Sequence, residues 1–259
     1  NLLNMQVNNI EKIIKNLTEV FFKAGNISIE LRNKGLKKHI KEDKTPVTNG
    51  DIEVNKIILD NLKNISPDIP IISEETAENK NKNLNTFWLV DPIDGTYDYI
   101  NNKDEFTLNA GLIVNKEAVA GIIYAPAKNR MFYSYGNNLS YELKNNEEIL
   151  LNNKKIDKNN IKAVSYSNNL KPEIIEFHRK LGVKEFVKMK SSLKFCVIAS
   201  GEYQVYVAEP RAHEWDIAAG HAILKNSGGV ITDFYGKEIL YGKDEFKNPS
   251  IILKSTSEL

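Results

Sequence analysis

Cysteine is almost missing from this chain: Cys196 is the single thiol in 259 residues. No intrachain disulfide is therefore possible, and a reducing compartment, the cytoplasm, is expected. An excess of one charge sign is missing as well. The 35 Lys and Arg nearly cancel the 34 Asp and Glu, leaving a net charge of +1. No global field then recruits a nucleic acid polymer or draws the chain onto an acidic membrane. No run reaches the roughly 18 apolar residues of an integral membrane segment, and no basic-then-apolar leader opens the sequence. Peripheral association at the inner face of a membrane is the only membrane role left open. Internal repeats are lacking too. The first residue is Asn1 rather than Met, so Asn1–Asn4 are read as a cloning remnant and Met5 as the natural start.

What is present is ordinary globular material, 41% hydrophobic and 27% charged, of a length that suits one large α/β unit or two closely joined subdomains. Apolar residues at three- and four-residue spacing from Val7 through Ile14 and Phe21 to Ala24 predict a long amphipathic helix. A polar loop is expected from about Lys34 to Pro46. Thr48 to Asp51 then reads as a capping box ahead of a second helix. Ile69–Ser73 is a predicted strand ending at Glu74 and Glu75, and Thr76 to Thr86 is predicted to be a mobile loop. Short apolar runs between residues 106 and 143 predict antiparallel sheet. The Asn/Lys-rich stretch Asn145–Asn160 reads as a junction, dividing an N-terminal α+β subdomain (1–155) from a C-terminal α/β subdomain (156–259). Strands and helices alternate beyond it, which predicts a layered α/β (α+β) domain.

The chemistry concentrates in FWLVDPIDGTYDY, Phe87 to Tyr99. Asp91 and Asp94 end an apolar run, where carboxylates are costly to desolvate unless cations compensate them. Gly95 and Thr96 follow and can turn amide N–H groups toward an anion. Glu74 closes another predicted strand, and Asp216 opens a late helix whose N-terminal dipole suits an acid. Oxygen donors of this kind match a hard cation such as magnesium. Metal ligands beside a phosphate cradle predict a metal-dependent phosphate enzyme. A phosphatase with an aspartyl nucleophile is excluded by spacing. That chemistry uses D-x-D-G-T, whereas this chain has D-x-x-D-G-T, and one extra residue re-aims the second side chain.

Four segments, in order, resemble the inositol monophosphatase superfamily: DKTPVTNGD (Asp43–Asp51), ISEET (Ile72–Thr76), VDPIDGT (Val90–Thr96) and EWDIAAGHAIL (Glu214–Leu224). The resemblance implies a layered αβαβα sandwich and a magnesium-dependent, lithium-sensitive phosphomonoesterase with two or three Mg2+ ions per site. Glu74, Asp91 and the carbonyl of Ile93 would hold one ion, and Asp91, Asp94 and Asp216 a second. Asp51 would bond Thr96 and orient a metal-bound water, with Glu74 counted among the catalytic groups. Gly95 and Thr96 would receive the phosphate, with Asp94 and Asp216 also at the substrate. No His or Cys nucleophile is required, since phosphoryl transfer rests on positioning and charge neutralisation.

Within that family, Ser191–Tyr206 with Glu214–Leu224 most resembles bacterial 3'(2'),5'-bisphosphate nucleotidases, which implies 3'-phosphoadenosine 5'-phosphate as substrate, AMP as product and a place in sulfur assimilation. Ser192 and Lys194 would then hold the non-reacting phosphate. Glu209, seven residues before Asp216, sits instead at the spacing of a sugar-hydroxyl ligand of inositol phosphatases, which keeps an inositol phosphate open. VSYSNN (Val164–Asn169) stands where the nucleotidases often show Ser-Arg-Ser-His, so a basic pair is missing; Arg211 and His213 either compensate or are exposed loop charges. Plainer roles are also open: Thr48 and Asp51 as a helix cap alone, Ser192 as a cap beside a solvated Lys194. A catalytically silent member that binds a nucleotide or partner protein is the non-enzyme alternative, and the assembly is expected to be a monomer or homodimer.

Overall fold

The computed structural model describes residues 2–76 and 83–259, with side chains from residue 8 onward within them. The expected mobile loop at Thr76–Thr86 falls mostly on residues 77–82, outside the described residues. Helix α1 (Leu2–Lys34) is followed by a hairpin of β1 (Lys38–Ile40) and β2 (Pro46–Thr48), and by α2 (Asn49–Ile65). Next come β3 (Ile71–Ser73), β4 (Phe87–Asp94), the short α3 (Thr96–Ile100), β5 (Thr107–Val114), β6 (Glu117–Ala125), β7 (Arg130–Ser134), β8 (Tyr141–Lys144) and β9 (Glu147–Leu150). The rest alternates: β10 (Ile161–Ser165), α4 (Pro172–Lys180), β11 (Val183–Lys188), α5 (Leu193–Ala199), β12 (Val205–Ala208), α6 (Glu214–Asn226), β13 (Val230–Thr232) and β14 (Ile251–Lys254).

Strands β3 to β9 form a seven-stranded sheet in chain order, antiparallel except for the parallel β3–β4 pair. A five-stranded sheet has the order β11-β10-β12-β14-β13. Helices α1 and α2 cover one face of the large sheet, α5 and α6 lie between the two sheets, and α4 covers the outer face of the small one. The αβαβα sandwich implied by the resemblance is therefore the fold observed. Strand β4 shows why burial on both faces reads as an unbroken apolar run. Phe87 and Leu89 enter the core between the sheets, while Trp88 and Val90 enter the core under α1 and α2.

Two sequence expectations change. The polar stretch 34–46 contains the β1–β2 hairpin, and the stretch 145–160 contains edge strand β9. The residues of β1 and β9 are exposed, so neither has an inward apolar alternation to announce it. Backbone pairing and turn chemistry make them instead. Asp43 Oδ1 accepts bonds from both the amide and the hydroxyl of Thr45, and Asn145 and Asn146 both take positive φ in a two-residue turn. That Asn-Asn pair was the available signal for β9. The change of sheet lies between Leu150 and Ile161, around the expected 155/156 division, while α5 and α6 pack against strands of both sheets.

The most exacting contact is between α6 and the large sheet. Gly111 and Gly121 are cross-strand partners on β5 and β6. A Cβ on Gly111 would lie 2.7 Å from the Ala219 nitrogen, and one on Gly121 2.7 Å from its Cα. These are backbone atoms and have no rotamer with which to escape. Gly111→Ala should therefore destabilise the protein by roughly 1–3 kcal/mol, measured by urea unfolding. An unchanged midpoint would mean that α6 can slide on the sheet.

Candidate active site

Four acids meet where the large sheet faces the start of α6. Asp91 lies in β4 opposite Asn109 of β5, and the register slips before Asp94 pairs with Thr107. Pro92 has no N–H to give the ladder, and such an irregularity re-aims the following side chain. Asp216 stands in the first turn of α6, where its Oδ2 accepts the His213 amide at 2.8 Å. Carboxylate oxygens of Asp91, Asp94 and Asp216 all lie within 4.8 Å of one another. Glu74 follows β3, fixed by its amide to the Val90 carbonyl at 3.0 Å, and its carboxyl lies beside Asp91.

These carboxyls are held far from their ordinary state. Burial pushes Glu74 up to about 8, with Asp216 and Glu75 adding to the rise. Burial and then Asp216 push Asp94 up to about 7, against a pull from Lys194 and the Ser192 amide. Asp91 is raised well above the usual carboxylate range by burial, Glu74, Asp94 and Asp216 together. Among the described residues, both Asp91 oxygens are buried with no donor besides the neighbouring Glu74 carboxyl. Buried acceptors without donors are costly, and crowding them makes ionisation costlier still. A cation among them would remove both penalties. The donor set is all oxygen, which fits a hard divalent ion.

The other expected residues surround the acids. Thr96 Oγ1 donates to Asp51 Oδ1 at 2.9 Å and lies 3.2 Å from the Ile93 carbonyl, while Asp51 Oδ2 accepts from the amide and hydroxyl of Thr48. The capping box and the Thr96 contact are thus the same carboxylate used twice. Gly95 takes the left-handed conformation, φ 83°, which lets the chain turn from β4 into α3. Ser192 does not cap α5 with its side chain. Its amide donates to Asp94 Oδ2 at 2.7 Å, and its hydroxyl joins a closed ring with Asn109 and Thr107. Lys194 is only 8% exposed, so it is not a solvated charge; its Nζ donates to the Ser191 carbonyl, and burial lowers it to about 8.

Asp94, Gly95 and Asp216 line a cavity of about 370 Å3 together with Ser192 and Lys194. Glu74 faces a second cavity of about 700 Å3, shared with Lys41, Asn55 and His213. Glu209 does not line the first cavity. Its carboxylate accepts the Tyr166 hydroxyl at 2.6 and 2.7 Å and pairs with Lys171 at 3.3 Å. Sequence reasoning passed over Lys41, which reaches from the β1–β2 hairpin to Glu75 at 2.7 Å and Glu74 at 3.9 Å. It also passed over Thr107, Asn109 and Lys190. Their only sequence signal is polarity inside or beside apolar strands.

A sandwich of two sheets that gathers buried carboxylate oxygens defines a cation-dependent enzyme scaffold. The model of the inositol monophosphatase family matches residues 9–258, and the chain belongs to that family. It is 35% identical over 213 residues to the 3'(2'),5'-bisphosphate nucleotidase CysQ of Salmonella typhimurium, covering 81% of this chain and 85% of that one. The CysQ of Buchnera aphidicola is also 35% identical, over 91% of this chain and 90% of its own. Among solved structures, CysQ from Bacteroides thetaiotaomicron superposes with a TM-score of 0.76 at 26% identity, covering 91% of this chain and 94% of that one.

The raised carboxyls make the stability of the metal-free protein depend on pH. In the unfolded chain these acids ionise near pH 4, whereas in the fold Asp94 stays protonated to about 7. The stability present at low pH is therefore lost as pH rises between those values. In chelator, Asp94→Asn should unfold at nearly the wild-type temperature at pH 4. Its advantage over the wild type should then grow by about 1.4 kcal/mol for each whole step of pH until Asp94 ionises in the fold. A gain independent of pH, read from thermal melts between pH 4 and 8, would show that Asp94 is not held protonated.

Proposed function

We propose that the chain is a magnesium-dependent phosphomonoesterase that converts 3'-phosphoadenosine 5'-phosphate and water to AMP and phosphate. The observation that carries the reading is the pair of buried Asp91 oxygens among Glu74, Asp94 and Asp216, next to the Gly95–Thr96 turn. Glu74, Asp91 and the Ile93 carbonyl would hold one magnesium, and Asp91, Asp94 and Asp216 a second. Magnesium there supplies charge for both the attacking and departing oxygens and lowers the pKa of a water.

The remaining work belongs to the chain's own residues. Thr96, held by Asp51 at 2.9 Å, keeps oxygen lone pairs that can accept an O–H of the attacking water and orient it. Asp51 is fixed on its other side by Thr48 and is raised by burial, so it is suited to take the displaced proton through the hydroxyl. Glu74 completes this catalytic group. The amides of Gly95 and Thr96 would receive the phosphate, with Asp94 and Asp216 at its side, while Ser192 and Lys194, which line the same cavity, would hold the non-reacting phosphate. The names of the CysQ relatives support the bisphosphate substrate. So does Glu209, whose engagement by Tyr166 and Lys171 leaves it poorly placed to bind an inositol hydroxyl. Lithium inhibition, a cytoplasmic setting and a part in sulfur assimilation go with this reading. Among the described residues no helix is long and apolar enough to cross a membrane.

The test is the release of inorganic phosphate from 3'-phosphoadenosine 5'-phosphate, inositol 1-phosphate and fructose 1,6-bisphosphate in one magnesium buffer. The bisphosphate nucleotide should have the highest kcat/KM, and a preference for the inositol ester would overturn the substrate. Thr96→Val should lower kcat by about 10²–10⁴-fold, the range of general acid–base assistance, without changing the melting temperature by more than a few degrees. Wild-type turnover in that variant would remove Thr96 and Asp51 from the mechanism.

A further inference from the structure

Two hydroxyls and one side-chain amide close a ring inside an otherwise apolar layer. Along β5, Leu108, Ala110 and Leu112 enter the core under α1 and α2, so Thr107 and Asn109 face the core between the sheets, where Ile113 also sits. Thr107 is fully buried and Asn109 is 1% exposed. Polar side chains in such a place are costly unless they are bonded. Asn109 Oδ1 accepts the Ser192 hydroxyl at 2.5 Å, the Ser192 and Thr107 hydroxyls are 2.7 Å apart, and Asn109 Nδ2 donates to Thr107 Oγ1 at 3.2 Å. The same Nδ2 donates to the Thr107 carbonyl at 3.1 Å and reaches the Asp91 carbonyl at 3.4 Å. Apolar side chains of the same shape can be nearly neutral for stability, so folding alone does not call for this ring.

What the ring holds is the entry to α5. Ser191, just before that helix, takes a left-handed φ of 61°, which a residue other than glycine keeps only where its surroundings enforce it. Its hydroxyl donates to the Glu105 carbonyl, and its own carbonyl accepts Lys194 Nζ. Ser192 follows, and its amide reaches Asp94 Oδ2 at 2.7 Å. In the β4–β5 ladder Asn109 stands opposite Asp91 and Thr107 opposite Asp94, on either side of the register slip. The ring therefore ties the two acids of β4 to a helix from the other half of the chain.

We propose that Asn109 is a positioning residue for the cation site. Through Ser192 it fixes the Asp94 carboxylate, and through the Asp91 carbonyl it fixes the spacing of the two acids along β4. This rests on the magnesium-dependent reading given above and deepens it. A cation then meets Asp91 and Asp94 already in place and does not have to order them on arrival. Any bond that the Ser192 hydroxyl makes to a substrate phosphate must replace the one to Asn109, while the Ser192 amide stays with Asp94.

The experiment is titration calorimetry of Mg2+ into the full chain, freed of metal by chelator and without substrate. Asn109→Leu, of similar size but with no polar atom, should weaken Mg2+ binding about 10–100-fold, the usual consequence of removing a partner that orients metal ligands. Its melting temperature in chelator should stay within a few degrees of the wild type, because the Ser192 and Thr107 hydroxyls keep each other. Thr107→Val should weaken binding by a smaller factor, and Thr107→Ser, which keeps the hydroxyl, should recover most of that loss. In turnover of 3'-phosphoadenosine 5'-phosphate, activity that Asn109→Leu loses at low magnesium should return as magnesium is raised. Unchanged Mg2+ affinity in Asn109→Leu, with the wild type binding, overturns the proposal and leaves the phosphatase reading intact. Weaker binding accompanied by a large fall in melting temperature in both Asn109→Leu and Thr107→Val also overturns it, since the ring would then serve the fold alone. If the wild type binds Mg2+ but releases phosphate from no ester, the catalytic reading falls, while weakened binding in Asn109→Leu still supports the ring. Failure of the wild type to bind Mg2+ at all would overturn the cation reading and the proposal together.

Discussion

Mutual repulsion among buried carboxylates is the constraint around which this protein is organised. Asp91 is 1% exposed, has no donor among the described residues besides the Glu74 carboxyl, and shares its surroundings with Glu74, Asp94 and Asp216. Protein groups could have relieved this. An arginine fork or a few more backbone amides would hold such acids ionised at ordinary pKa values. Among the described residues the fold supplies little of either: the amides of Ser192 and Gly95 to Asp94, one from His213 to Asp216, and a buried Lys194. A site left so far from electrostatic balance stores an affinity for cations that the metal-free chain must sustain from its packing elsewhere.

That packing is what brings the acids together. Asp91 and Asp94 ride on β4, whose side chains anchor in two different cores, so the strand cannot yield toward either face. Asp216 arrives from the other half of the chain on α6, and the position of α6 is set by backbone-to-backbone approach at Gly111 and Gly121. A longer side chain at either glycine would push the helix, and its acid, away from β4. The free energy for holding Asp91, Asp94 and Asp216 within 4.8 Å of one another therefore comes from apolar burial and close contact, not from the site itself.

The parts of this arrangement that were legible in the sequence are those with a local signature. The Thr48–Asp51 capping box, the apolar run of β4 and the Gly95 turn each follow from residues a few positions apart, and each occurs where it was expected. The five layers followed from the alternation of strands and helices together with the family resemblance. Edge strands β1 and β9 were missed because exposed pairing leaves no apolar period. Arg211 was legible only as an alternative, a compensating basic residue or an exposed loop charge. Arg211 and Tyr166 are 45 residues apart in sequence and carry no shared motif, and only the meeting of the β10 and β12 ends stacks one on the other. Lys194 read equally well as a solvated charge; only the packing of α5 against α6 and the small sheet shows it to be buried.

Charge balance also bears on how many cations such a site needs. Four carboxylates stand against one ammonium, since Lys41 is already paired with Glu75. If all four ionise, a single divalent ion leaves the cluster still negative before any phosphate arrives, and a phosphate dianion would then meet net repulsion. Two divalent ions held by these acids would reverse that sign and would favour entry of an anion.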